Sequence, residues 1–140
     1  MSTGTAKGYT LAEVLVVVSI LAILAAVALP RIGQSILNRA RLDAVPKTAV
    51  LIRTAQSLAY SKSISTHVVV SSSGATLMEC PTITCTVVQR VVYPPGTSVS
   101  GATLIFSPQG LLQSPNPPAT LTIQGRRITV SRWGEVAVSP

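Results

Sequence analysis

The stretch KGYTLAEVLVVVSILAILAAVALP, Lys7–Pro30, decides how this chain is read. From Val14 to Leu29 it is apolar except for Ser19. Counted from Tyr9, the run gives roughly 30 Å of helix, about one hydrocarbon thickness. Yet a carboxylate, Glu13, stands near its start. In lipid an unpaired carboxylate there costs about 2–3 kcal/mol. A secretory signal peptide has a shorter apolar core followed by a small-residue cleavage site, and LAAVA before Leu29 imitates one. A plain membrane anchor fits the length better. Neither gives Glu13 a purpose.

The rest of the composition narrows the field. The chain has 140 residues, enough for one modest domain, with eleven basic and four acidic residues and a net charge of +7. Its mean hydropathy of +0.51 is raised by the apolar run; the remainder is rich in Ser, Thr, Gly and Pro. Enzyme readings find little support. The four acids, Glu13, Asp43, Glu79 and Glu135, form no pair placed for acid–base work. The one imidazole is His67, read as a surface or packing residue on a strand. The glycines punctuate turns and cradle no phosphate. No catalytic residue, cofactor or metal is expected.

Beyond Pro30, Ile32, Ile36, Ala40 and Ala44 recur at four-residue steps, with Leu51, Ala55 and Leu58 on a similar face. This predicts an amphipathic continuation over residues 31–62, with Pro30 and Pro46 as points of kinking or breakage. Unbroken from Tyr9 to Lys62, the helix would be on the order of 80 Å long. After Lys62 the pattern turns to strands at His67–Ser71, Ala75–Cys80, Thr86–Tyr93 and Ala102–Gly110. Ala119–Val138 then reads as three strands separated by Gly turns, with Leu121 and Ile123, Ile128 and Val130, and Val136 and Val138 alternating. The expected fold class is α+β: one long N-terminal helix packed on a C-terminal antiparallel sheet. Cys80 and Cys85 frame CPTITC, too few ligands for a zinc site and not a CxxC redox motif; a structural disulfide closing a small loop is expected.

Gly8-Tyr9-Thr10-Leu11-Ala12-Glu13 resembles the cleavage motif of type IV prepilins. There a basic residue and Gly close a short leader, an aromatic follows, and Glu is the fifth mature residue. The family usually has Phe where this chain has Tyr9. The resemblance implies a leader at 1–8, a transmembrane and filament-core helix at 9–30, its continuation at 31–62 and a β-rich head at 63–140. It implies cleavage of the Gly8–Tyr9 bond by a prepilin peptidase and N-methylation of Tyr9. It also implies pairing of Glu13 with a neighbouring subunit's amine, an assembly role in which a buried charge fixes register. Partners would be other pilin or pseudopilin subunits, the peptidase and the inner membrane, with the head in the periplasm. Charge counting opposes that topology. Only Lys7 precedes the run, whereas Arg31, Arg39, Arg41 and Lys47 follow it. The motif is the more specific signal.

The C-terminal half is similar to the GspH, FimU and FimT type of minor pilins and pseudopilins. Phe106-Ser107-Pro108-Gln109-Gly110 and Val130-Ser131-Arg132-Trp133-Gly134-Glu135-Val136 carry that likeness. It implies a minor structural subunit of a type IV pilus or type II secretion pseudopilus, acting in filament initiation or at the tip. FimT-like members are implicated in DNA uptake through basic C-terminal residues. Here Arg126, Arg127 and Arg132 beside Trp133 offer a candidate DNA-binding patch. Arg126 and Arg127 are adjacent, so on a strand they point to opposite faces and weaken it. A DNA-binding minor pilin and a simple membrane-anchored β-domain are the rival readings.

Overall fold

The computed structural model describes residues 10–140, the side chains of 28–32 excepted. The leader and the cleavage and methylation positions, Gly8 and Tyr9, lie outside the described residues. The chain falls into two units, one ending at Leu37 and the other spanning Asn38–Pro140.

Helix α1 (Leu11–Leu42) begins in the apolar run. Every side chain from Leu11 to Val27 is exposed, including Leu15, Val18, Leu21 and Leu24 on different faces. Among the described residues no helix is long and apolar enough to cross a membrane. From Ala28 to Ile32 only the helical backbone is described.

The continuous helix expected to reach Lys62 is interrupted. α1 stops at Leu42, and α2 (Ala44–Lys62) starts after Asp43. Pro46 supplies the reason. In an unbroken helix its ring would meet the carbonyl of Leu42. With Asp43 at the N-cap, Pro46 falls in the first turn of α2, where its missing N–H has no intrahelical acceptor to lose. Asp43 keeps the junction tight: its N–H donates to the Arg39 carbonyl (2.9 Å), and its carbonyl accepts from Lys47 N–H (3.3 Å).

α2 buries Ala44, Val45, Thr48, Ala49, Leu51, Ile52, Ala55 and Ala59 along one face. The alanines let the helix approach the strands closely, and Thr66 Oγ1 on the first strand reaches the Ala55 carbonyl at 2.9 Å. The helix ends with Ser63 in the left-handed region (φ 52°) and Ile64 N–H bonded to Ala59 O.

The head contains β1 (Ser65–Ser71), β2 (Gly74–Cys80), β3 (Thr86–Val92), β4 (Val99–Ser100), β5 (Thr103–Phe106), β6 (Leu112–Ser114), β7 (Ala119–Ile123), β8 (Arg126–Val130) and β9 (Val136–Ser139). These form two antiparallel sheets rather than the single one expected. The first has the order β3-β2-β1-β5-β6 and the second β4-β7-β8-β9. The chain changes sheet more than once: β4 leaves the first sheet to pair with β7, β5 and β6 return to the first, and the last crossing, after β6, runs through Pro115, Pro117 and Pro118, which cannot donate to a ladder. Alternation places Thr66, Val68 and Val70 inward from β1, Leu121 and Ile123 from β7, and Ile128 and Val130 from β8. With Leu77, Leu104 and Phe106 they join the α2 face in one core. Val136 belongs to it, but Val138 is exposed, because β9 is an edge strand with only its first residue covered. β4 and β6 are too short to leave an alternating pattern in sequence.

Candidate functional site

The start of α1 answers why a carboxylate stands there. Thr10 N–H donates to Glu13 Oε2 at 3.0 Å, and the Thr10 hydroxyl donates to the same oxygen at 3.2 Å. Glu13 N–H in turn reaches Thr10 Oγ1 at 3.3 Å. This is a capping box, Thr-x-x-Glu, which satisfies otherwise orphaned donors in the first turn. The carboxylate also sits where the helix dipole favours negative charge. Within one chain Glu13 is thus held at the end of an apolar helix, with Oε1 taking no bond among the described residues. The Thr-x-x-Glu spacing was legible in the sequence, although the resemblance drew attention to Glu13 alone.

The head's two sequence motifs fold into a matched pair of turns. In the first, Ser107 N–H bonds Leu111 O (2.9 Å) and Gly110 N–H bonds Ser107 O (2.8 Å). In the second, Ser131 N–H bonds Glu135 O (2.9 Å) and Gly134 N–H bonds Ser131 O (3.0 Å). Each serine hydroxyl also accepts from the backbone four residues on, at Leu111 and Glu135. Gly110 and Gly134 have φ of 74° and 79°, the left-handed region that favours glycine. Leu112 N–H donates to Arg132 O at 2.9 Å and joins the turns. Gln56 of α2 lies against both glycines and donates its amide N–H to the Trp133 carbonyl. Nothing in the sequence distinguishes Gln56 from other polar helix residues; only tertiary packing brings it there.

The candidate basic residues separate. Arg126 and Arg127 open β8 beside the Gln124-Gly125 turn, while Arg132 and Trp133 lie beyond its other end. The five residues of β8 amount to roughly 15 Å. Arg126, Arg127, Arg132 and Trp133 are all exposed, and Arg132 also lines an open cleft with Ser107, Gln109, Gln113 and Asn116. Arg126 and Arg127 thus stand at one end of β8 and Arg132 past the other.

Cys80 and Cys85 form a disulfide. His67 is brought beside it, with its ring nitrogen and both sulfurs all within 4.8 Å of one another. The sheet register explains this. His67 pairs with Met78, which makes Cys80, two residues on, its diagonal neighbour on the same face. With both sulfurs spent in the disulfide, the cluster is not a metal-ligand set in this state.

Comparison with known proteins agrees with both ends of the chain. Residues 4–29 match the family described as the prokaryotic N-terminal methylation motif. No curated protein sequence matches the chain. Among solved structures, the type IV minor pilin FimU of Pseudomonas aeruginosa (strain PAO1) is similar, with a TM-score of 0.55 and 16% identity, over 74% of this chain and 90% of that one. At that identity the likeness speaks for the fold. The chain thus carries a prokaryotic N-terminal methylation motif at residues 4–29 and, behind it, a helix followed by antiparallel sheet that matches the type IV pilin fold of FimU.

Proposed function

We propose that the chain is a non-enzymatic minor pilin or pseudopilin. In this reading it is made as a prepilin, held in the inner membrane with its head in the periplasm, cleaved after Gly8 and methylated at Tyr9. It then joins a filament at initiation or at the tip. The observation that carries the reading is α1. From Val14 to Val27 the helix is exposed and, Ser19 apart, apolar all round, and such a surface must be covered by lipid or by other such helices. Covering its exposed Leu, Val and Ile side chains contributes on the order of 10 kcal/mol, enough to retain the subunit in a bilayer and then to hold it in a bundle. The capping box supports the same account, because it keeps Glu13 hydrogen-bonded while the helix lies in lipid. In the bundle, the neighbour's methylated amine supplies the charged partner.

Intact mass of the protein recovered from membranes tests this. A chain beginning at Tyr9, with one added methyl group and two hydrogens fewer at the cysteines, is expected. Retention of residues 1–8, or normal processing when Gly8 is replaced by a bulky residue, overturns the reading.

A further inference from the structure

His67 and the disulfide are not used by the filament reading, and they form a cluster of their own. The two sulfurs differ sharply in access. Cys80 is only 6% exposed, at the end of β2. Cys85 is exposed, and so is every residue of the connecting loop, with Ile83 fully so. A nucleophile reaches the disulfide from the Cys85 side alone. Behind it, on the face of the sheet that carries Cys80, waits the His67 imidazole, half-buried on β1. An imidazole can carry a proton in the neutral range. Exchange by a thiolate is governed by which sulfur is accessible and by how well the other leaves.

We propose that Cys80–Cys85 is a thiol–disulfide exchange site with a fixed direction: an external thiolate attacks Cys85 Sγ, and Cys80 leaves toward His67. One S–S bond forms, between the thiol's sulfur and Cys85, as the Cys80–Cys85 bond breaks. The electron pair of the broken bond stays on Cys80, and the proton on the imidazole passes to it. Free of its partner, the Cys80 sulfur turns toward the ring across the short gap between them. The proton lost when the external thiol became a thiolate restores the imidazolium, so the net step is thiol plus disulfide giving mixed disulfide plus the Cys80 thiol. A second thiolate, attacking the mixed disulfide, releases Cys85. The substrate class is a thiol, whether a small molecule or the exposed cysteine of another protein. The site makes Cys85 the point at which this head can be joined covalently to a thiol partner.

The full chain in detergent micelles, treated with excess reduced glutathione, acid-quenched, alkylated and mapped by mass spectrometry, tests the direction. A parallel arm replaces glutathione with a protein bearing a reduced CxxC motif. Expected is the adduct on Cys85 with the alkyl group on Cys80, and loss of this selectivity in urea. His67→Gln is expected to slow formation of the adduct by ~10-fold or more, with an unchanged melting temperature. An adduct on Cys80, an even distribution in the folded chain, or an unaltered rate in a folded His67→Gln variant overturns the proposal. Should that variant fail to fold, the position of the adduct on the unmodified sequence still decides. Reaction with glutathione but not with the CxxC protein assigns the site to small thiols, and the reverse assigns it to a protein partner; both support the exchange.

Discussion

Gly134 offers a quantitative test of how the second turn meets α2. An alanine there must hold φ near 79°, in the left-handed region. For a residue with a Cβ that costs about 1–2 kcal/mol. Its methyl would also overlap the Gln56 carboxamide. The amide can swing aside, but it then gives up its bond to the Trp133 carbonyl, a loss of about 1 kcal/mol. Gly134→Ala should therefore cost about 2–3 kcal/mol. Gly125 is the control, since its φ is 75° and nothing lies within 4 Å of an added Cβ. Gly125→Ala should show the backbone strain alone, about 1–2 kcal/mol. Urea unfolding of residues 38–140 is the assay, because the whole buried core lies between Ala44 and Val136. With a slope of about 1–3 kcal/mol per molar, the two midpoints separate measurably. In a Gln56→Ala background the overlap is gone, and Gly134→Ala should fall to the cost of Gly125→Ala. Equal costs for the two glycines, or a Gly134 penalty unchanged without Gln56, would refute the reasoning.

Three more outcomes follow from named contacts. Tyr93, 5% exposed, donates its hydroxyl proton to Thr48 Oγ1, whose own proton is spent on Ala44 O (2.7 Å). Burial raises the Tyr93 pKa above its ordinary 10.0; Thr48 pulls partly back, because its hydroxyl can turn from Ala44 O and donate to the phenolate. The unfolded phenol therefore ionises first, so this contribution is complete below about pH 10 and is lost as pH rises through the folded value. Tyr93→Phe should cost about 1 kcal/mol at neutral pH and flatten the alkaline decline; an unchanged decline in urea midpoints would count against it. Replacing Cys80 and Cys85 together by Ser should cost about 2 kcal/mol, the small amount a short loop contributes, read from the same unfolding curves. At the helix start, Glu13→Gln retains a cap acceptor while losing the charge, and Glu13→Ala loses both. If the carboxylate pairs with a neighbour's amine, both variants should fail to enter filaments in a pulldown of assembled fibres. Incorporation of Glu13→Gln would reduce Glu13 to a cap.

What the sequence determined by itself was local and short-range. The apolar run, the Thr10–Glu13 spacing, the strand alternation at Val68–Val70 and Leu121–Ile123, and the Gly turns are each written within a few residues, because helix caps, side-chain periodicity and positive φ are set by neighbouring backbone. Pro46 was legible as a point of disruption, though not the shift of the break to Asp43, which follows from where the proline ring is tolerated. Tertiary structure alone decided the rest. The division into two sheets depends on pairings between distant segments, such as β4 with β7. Val138 alternates like a core residue and is exposed because no strand covers β9. Arg126 and Arg132 are near in sequence, yet a rigid strand holds them apart. The same rigidity works in the opposite sense at His67 and Cys80, thirteen positions apart, which a hairpin register places side by side. Gln56 meets Trp133 across 77 positions for the same reason. A periodicity fixes which face a side chain takes, and only the pairing of elements fixes what lies opposite it.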